Sequence, residues 1–159
     1  MRTPLLLVAT VVSLLYSCAK TEEPDLGEFQ HCEHLIDMTQ QNKYDETLFC
    51  KEWVLSKVYY ETYVDGILQS TEDHTESDAG FTISFHDDHT MSYGGVKGSW
   101  LYTHNHLLTH FHIFYEVNEV IQMTNDLLLF KQEFRPSGAP YFKDPSGTHY
   151  FWVYEYVSK

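Results

Sequence analysis

At 159 residues the chain is the size of one domain, and its 43% hydrophobic and 16% aromatic content is enough to build a core. Asp and Glu outnumber Lys and Arg by 23 to 10, a formal net charge of −13. That balance speaks against a nucleic-acid partner and against docking on anionic lipid by charge alone, because both need a basic face.

The first twenty residues, MRTPLLLVATVVSLLYSCAK, open with Arg2 and continue in an uncharged, mostly apolar run from Leu5 to Tyr16. A bilayer span takes about 20 apolar residues, so this run is too short for a transmembrane helix and has the build of a secretory signal peptide. Its end, Leu15-Tyr16-Ser17-Cys18, resembles the lipobox of bacterial lipoproteins, with an apolar residue three before the cysteine and a small one just before it. Tyr16 is bulkier than is usual there. The resemblance implies removal of residues 1–17, lipidation of the Cys18 sulfur, and a second acylation that makes the anchor stable. It also implies a cell-envelope location in the outer membrane, facing either the periplasm or the cell surface. Residues 18–30, CAKTEEPDLGEFQ, are polar and acidic and read as a tether. Lys20 with Glu22 and Glu23 looks like the charged signals that route some lipoproteins to the cell surface, and a solvated linker accounts for it equally well. Residues 31–159 then form the single folded domain.

Beyond Cys18 two cysteines remain, Cys32 and Cys50, an even number in an exported chain. A bridge between them would stabilise by about 3 kcal/mol in the chain-entropy picture; two unpaired thiols are the alternative. HCEHLIDMTQQ and DETLFCKEW each suit a short helix, the second with Asp45 as N-cap. HCEH at 31–34 sets two histidines one helical turn apart but has no second ligand pair at a zinc spacing. Acidic TEDHTESD at 71–78 reads as a solvated loop rather than a calcium site.

From Trp53 onward aromatic and β-branched residues alternate with turn signals. Strands are predicted near 53–64, 80–86, 90–95, 98–103, 107–115, 117–123, 126–134 and 148–157. Asp65-Gly66 is a two-residue hairpin signal. Asp87-Asp88, Gly94-Gly95 and Asn125-Asp126 mark further turns, and RPSGAPYFKDPSG at 135–147 is a long loop. Sequential short strands with tight turns form an antiparallel up-and-down meander, and with about eight of them closure into a barrel removes the exposed edges.

KEWVLSKV, GFTISFHDDHTMSYGG, GSWLYTHNHLL and YEVNEVIQMTNDLLLF, in that order, resemble the lipocalin-like domain of small bacterial lipoproteins. That family opens its first strand on a Trp, follows with a Phe-x-x-Asp-Gly-Thr hairpin and a Gly-x-Trp strand, and closes on a Leu-rich hairpin. The resemblance runs from Cys50 to the C-terminus and implies a mainly β, eight-stranded lipocalin-like barrel behind a short N-terminal helical segment. His89 stands where the family carries its turn glycine, so this hairpin is expected to use a different turn.

A barrel of this size either fills with side chains or encloses one small ligand. Phe81, Ile83 and Phe85 share one strand face, as do Leu107, Thr109, Phe111 and Ile113; with Tyr93 these give Phe81, Ile83, Phe85, Tyr93, Phe111 and Ile113 as the candidate pocket lining. In the last strand either Phe151 and Val153 face inward, leaving Tyr150–Tyr156 as an outer aromatic ladder, or the reverse. No nucleophile elbow, phosphate loop or zinc-protease motif occurs, so the chain is expected to bind rather than catalyse, with no cofactor. Its partners are then the membrane, through the anchor, and a small apolar ligand or a protein. A structural lipoprotein with a filled barrel is the alternative, as is a histidine-based metal site. For the latter, THNHLLTHFH holds His104, His106, His110 and His112. A turn at 104–106 separates the two pairs and leaves His110 and His112 on one strand, facing outward.

Overall fold

The computed structural model describes residues 25–134 and 146–159. The signal segment, Cys18 and the first part of the tether lie outside the described residues, as does most of the 135–147 loop. No helix among the described residues is long and apolar enough to cross a membrane.

Nine strands follow one another: β1 (Glu52–Val64), β2 (Ile67–Asp73), β3 (Thr82–Phe85), β4 (Thr90–Tyr93), β5 (Val96–Thr103), β6 (His106–Phe111), β7 (Phe114–Met123), β8 (Leu127–Phe134) and β9 (Thr148–Ser158). All neighbouring pairs are antiparallel. β1 and β9 pair along their whole length, from Trp53↔Ser158 to Val64↔Thr148, and this closes β1 and β3–β9 into an eight-stranded barrel. The extra strand, β2, pairs only with Tyr59–Val64 of β1, beyond the stretch Glu52–Val54 where β3 takes that edge. Every residue of β2 is exposed. ILQSTED therefore carries no apolar alternation, and it forms a flap on β1 outside the ring. The single turn α1 (Thr75–Asp78) carries the chain from this flap into β3.

The hairpins follow from backbone chemistry. Asp65 (φ 49°) and Gly66 (φ 78°) form the expected two-residue turn. His104 (φ 49°) and Asn105 (φ 60°) do the same between β5 and β6. Asn105 suits the role because its short side chain tolerates the left-handed region, and here both polar atoms of that side chain are bonded. Its Oδ1 accepts from the Tyr102 hydroxyl (3.0 Å) and its Nδ2 donates to the Val120 carbonyl (2.9 Å). At His89 the expected change of turn does not occur. The residue takes the left-handed conformation itself, at φ 61°. His86 N–H donates to the Thr90 carbonyl (2.9 Å), and Asp88 Oδ1 accepts from both the Thr90 amide and hydroxyl.

β6 explains the placement of the N-terminal segment. HLLTHF does not alternate: His106, Leu107, Leu108 and Thr109 are all buried. Leu107 points into the barrel and Leu108 points out, so the outer face needs a cover. Gly27–Leu35 supplies it as a 3-10 helix. Three residues per turn put Leu26, Phe29 and Cys32 on one face. With Ile36 they pack on Leu108, flanked by Leu101 and Val117. The expected short N-terminal helix is a 3-10 helix that begins at Gly27, and the stretch read as tether is packed from Leu26 onward because Leu26 and Phe29 have an apolar surface to cover.

A second 3-10 turn, Glu46–Leu48, is capped by Asp45 Oδ1, which accepts from Thr47 N (2.9 Å). It delivers Phe49 into one end of the barrel, against Phe85, Trp100 and Tyr102 at ring separations of 5.8, 5.4 and 4.9 Å. Trp53 Nε1 donates to the Phe49 carbonyl (2.9 Å). Cys32 and Cys50 do not bridge; both are free thiols. Cys32 belongs to the outer cluster on Leu108, whereas Cys50 packs against the inner cluster that holds Leu107. The barrel wall separates them.

β9 resolves to the reverse of an outer tyrosine ladder. Tyr156 pairs across with Leu55 and Leu128, and Tyr154 with Val58 and Phe130, all inward-facing. Phe151 and Val153 face outward and are still buried. Phe151 lies edge-on to Tyr63 (5.3 Å), and Lys131 Nζ sits 4.2 Å from its ring while pairing with Glu61 (3.2 Å). A lysine stem can cover apolar surface while its ammonium group stays paired, so this face tolerates aromatic residues.

Candidate ligand cavity

The barrel is packed at the Phe49 end and hollow toward the other. The turn joining β6 to β7 (112–113) and the turn joining β4 to β5 (94–95) lie at the hollow end. The cavity there has a volume of about 330 Å³, within the range of small-molecule sites. Aromatic rings dominate its wall: Tyr93, Phe111, Phe114, Phe130, Tyr154 and Tyr156, with Ile83. Three polar side chains interrupt them, Thr109 from β6 and Glu116 and Asn118 from β7.

Strand geometry places this trio. Thr109 pairs with Glu116 and Leu107 with Asn118 across β6 and β7. Residues of one parity share a face, so Glu116, Asn118 and Val120 all point inward. Each polar group is only partly satisfied. Thr109 Oγ1 donates to Glu116 Oε2 at 3.4 Å, and Asn118 Nδ2 donates to the Leu107 carbonyl at 3.4 Å, both long. Asn118 is 1% exposed, and its Oδ1 has no hydrogen-bond partner among the described residues. Burial pushes the Glu116 carboxyl above the ordinary carboxylate value, against the pull of hydrogen bonds from Gln132 and Thr109. Burial first, and the Glu116 charge second, raise the Tyr154 phenol. Tyr93 and Tyr156 are raised by burial too, so all three rings stay protonated across the physiological range.

Of the sequence-predicted lining, Ile83, Tyr93 and Phe111 border the cavity. Phe85 lies below it in the packed end, 5.2 Å from Trp100. Phe81 and Ile113 lie just beyond strand ends. Phe81 precedes β3, is 47% exposed and stacks on Tyr93 (6.0 Å). Ile113 sits in the β6–β7 turn at 73% exposure, since β6 stops at Phe111. Strand alternation holds only inside the strand. Phe81, Tyr93, Phe111 and Phe114 form a run of rings at separations of 6.0, 5.4 and 6.2 Å along the rim.

Thr109, Phe114, Phe130, Tyr154, Tyr156 and the polar pair Glu116 and Asn118 line the cavity outside the predicted set. Two successive inward polar positions in FYEVNEV break the pattern of a barrel-core strand, and that break was their available signal.

The histidines scatter. His104 caps a turn beside Thr103 Oγ1 (2.8 Å), and His106 is buried with Nδ1 2.7 Å from the His104 carbonyl. His110 stacks on Tyr115 (3.9 Å) and pairs with Glu28 (2.9 Å). His112 (φ 59°) is a turn residue, so His110 and His112 do not share a strand as expected. Ser99 and His110 together hold Glu28 below the ordinary carboxylate range. Among the described residues no three His, Cys, Asp or Glu side chains converge on a metal-sized site.

No family model matches the chain, and no curated protein matches it. The fold and the cavity therefore carry the functional reading by themselves.

Proposed function

We propose that the protein is a membrane-tethered envelope lipoprotein whose barrel binds one small, largely apolar ligand without transforming it. The observation that carries this reading is the cavity of about 330 Å³ walled by aromatic rings, at the barrel end opposite the Phe49 plug. A purely structural barrel has no physical reason to leave that space and to point Glu116 and Asn118 into it. The tether half of the reading rests on residues 1–18, where Arg2, the apolar run and Leu15–Cys18 agree.

The cavity half is tested with N-phenyl-1-naphthylamine, whose fluorescence rises in apolar surroundings, added to chain beginning at residue 19. Saturable one-site binding that Thr109→Phe abolishes, with unchanged circular dichroism, is the expected result. Absence of saturable binding by the folded chain refutes it. Labelled palmitate is expected on the wild-type chain and not on Cys18→Ala; equal labelling of both would remove the anchor.

A protein partner at the rim is the second reading, favoured by the exposure of Phe81, Ile113 and Phe114. Ile113→Glu separates the two, since it disturbs a rim partner and leaves a ligand inside the barrel untouched.

A further inference from the structure

The cavity's polar groups say more about the ligand than its size does. Apart from Ile83, every lining side chain among the described residues presents an acceptor, a ring face or a hydroxyl, and none of these is Lys, Arg or His. Asn118 Oδ1 is an acceptor without a donor, buried to 1% exposure. Glu116 is a carboxyl among aromatic rings, with only a long bond from Thr109 and one from Gln132. A carboxyl in such surroundings keeps its proton or takes a counter-charge in its place, and an orphan acceptor needs a donor. Aromatic faces attract cations as well, through the ring quadrupole.

We infer that the cavity is built for an organic cation: a primary or secondary ammonium group bonded to Glu116 and Asn118, on an aromatic or branched aliphatic body held among Tyr93, Phe111, Phe130 and Tyr154. This rests on the ligand-binding reading above and narrows it to one chemical class. Glu116 and Asn118 are alternate residues of one strand, about 7 Å apart along the backbone, and both side chains point into the same space. One nitrogen with two or three N–H donors can serve both acceptors. The net charge of −13 draws cations toward the protein and repels anions from it.

The groups facing Glu116 make the pH dependence readable. β6 offers Thr109, β8 offers Gln132, and β4 and β9 offer the phenols of Tyr93, Tyr154 and Tyr156. Asp78, from α1, adds negative potential felt at Tyr93 and Tyr154. None of these is a cation. The three phenols, raised by burial, stay neutral across the physiological range. Glu116, held protonated to higher pH by burial, is the group in the cavity that acidification neutralises. An ammonium ligand takes the place of its proton, so cation affinity rises with pH until the ligand amine itself deprotonates.

The test is calorimetric titration of the full-length chain in nanodiscs of zwitterionic lipid. Three probes share one body and differ in charge: 2-phenylethylamine, 2-phenylethanol and phenylacetate. The expected result is amine binding at least roughly tenfold tighter than alcohol at about pH 7.5, with phenylacetate not binding. Amine affinity should weaken on acidification to about pH 5 while alcohol affinity stays flat. Glu116→Gln should bring the amine down to the level of the alcohol and remove its pH dependence. Asn118→Leu should weaken the amine and leave its pH dependence in place. Equal binding of amine and alcohol by the wild-type chain overturns the inference, and so does amine binding indifferent to both substitution and pH. In either case saturable binding of N-phenyl-1-naphthylamine would leave the apolar-ligand reading standing. Failure of that probe as well, in a folded chain, would take both down.

Discussion

Phe49 is the residue on which closure of the packed end depends, and Phe49→Ala measures that dependence. Its side chain is fully buried among Phe85, Trp100 and Tyr102, and it arrives from a three-residue 3-10 turn outside the barrel wall. Truncation removes somewhat more than 100 Å² of apolar surface from burial, about 3 kcal/mol at the usual coefficient. The three ring contacts and the void left between rigid neighbours raise this to about 4 kcal/mol, inside the normal range for a buried Phe→Ala change. For a domain of this size that corresponds to a fall in Tm of about 12–16 °C. Phe49→Leu, which keeps most of the volume, should lose only about 1–1.5 kcal/mol. Urea unfolding followed by far-ultraviolet circular dichroism is the suitable assay, because Trp53 and Trp100 lie close enough for their emission to change in the folded state alone. A loss below about 1.5 kcal/mol for Phe49→Ala, with the denaturant slope unchanged, would refute the reasoning. It would mean that the segment swings aside and the strands close the end without it.

Three further outcomes are expected. At His89, held at φ 61°, Gly relieves backbone strain and Ala does not; His89→Gly should be more stable than His89→Ala by about 1 kcal/mol in thermal melts, and the opposite order would contradict the strained turn. A Cβ at Gly98 would lie 2.1 Å from the His110 carbonyl oxygen. Gly98→Ala should therefore force β5 away from β6 and cost about 2 kcal/mol, and a loss under about 0.5 kcal/mol would show that the strands are not held that close. Burial holds the His106 imidazole below its ordinary value of 6.5. Between that value and the lowered one the unfolded chain binds more protons, so this residue's contribution to stability falls as pH drops through the window. Glu116, raised by burial, acts with the opposite sign. The difference between wild type and His106→Gln removes the Glu116 contribution. That difference should shift in favour of the variant on going from about pH 8 to about pH 5; parallel stability profiles would refute it.

Local chemistry determined much of this protein before any tertiary contact. Turn signals and period-two alternation place β1, β3–β5 and β7–β9, because a half-buried strand must sort its side chains by face, whereas β6 is buried on both faces. Asp65-Gly66 sets its own hairpin, and Asp45 caps its own turn, since both depend only on neighbouring backbone. The Leu26, Phe29, Cys32 spacing was equally local, yet it became legible only once Leu108 showed what it covers. Alternation states that two faces differ and not which one is inside. For β9 that choice fell to its partners Val58, Leu128 and Phe130, which draw Tyr154 and Tyr156 inward, while Lys131 and Glu61 dress the outer face. Cysteine count could not reveal that a barrel wall stands between Cys32 and Cys50. Nor could composition separate a filled barrel from a hollow one. That difference arises because Phe49, Trp53 and Trp100 pack one end solidly while the rings at the other stop short of one another. The space left there, with Glu116 and Asn118 facing it, belongs to the register of β6 against β7 and exists only in the closed fold.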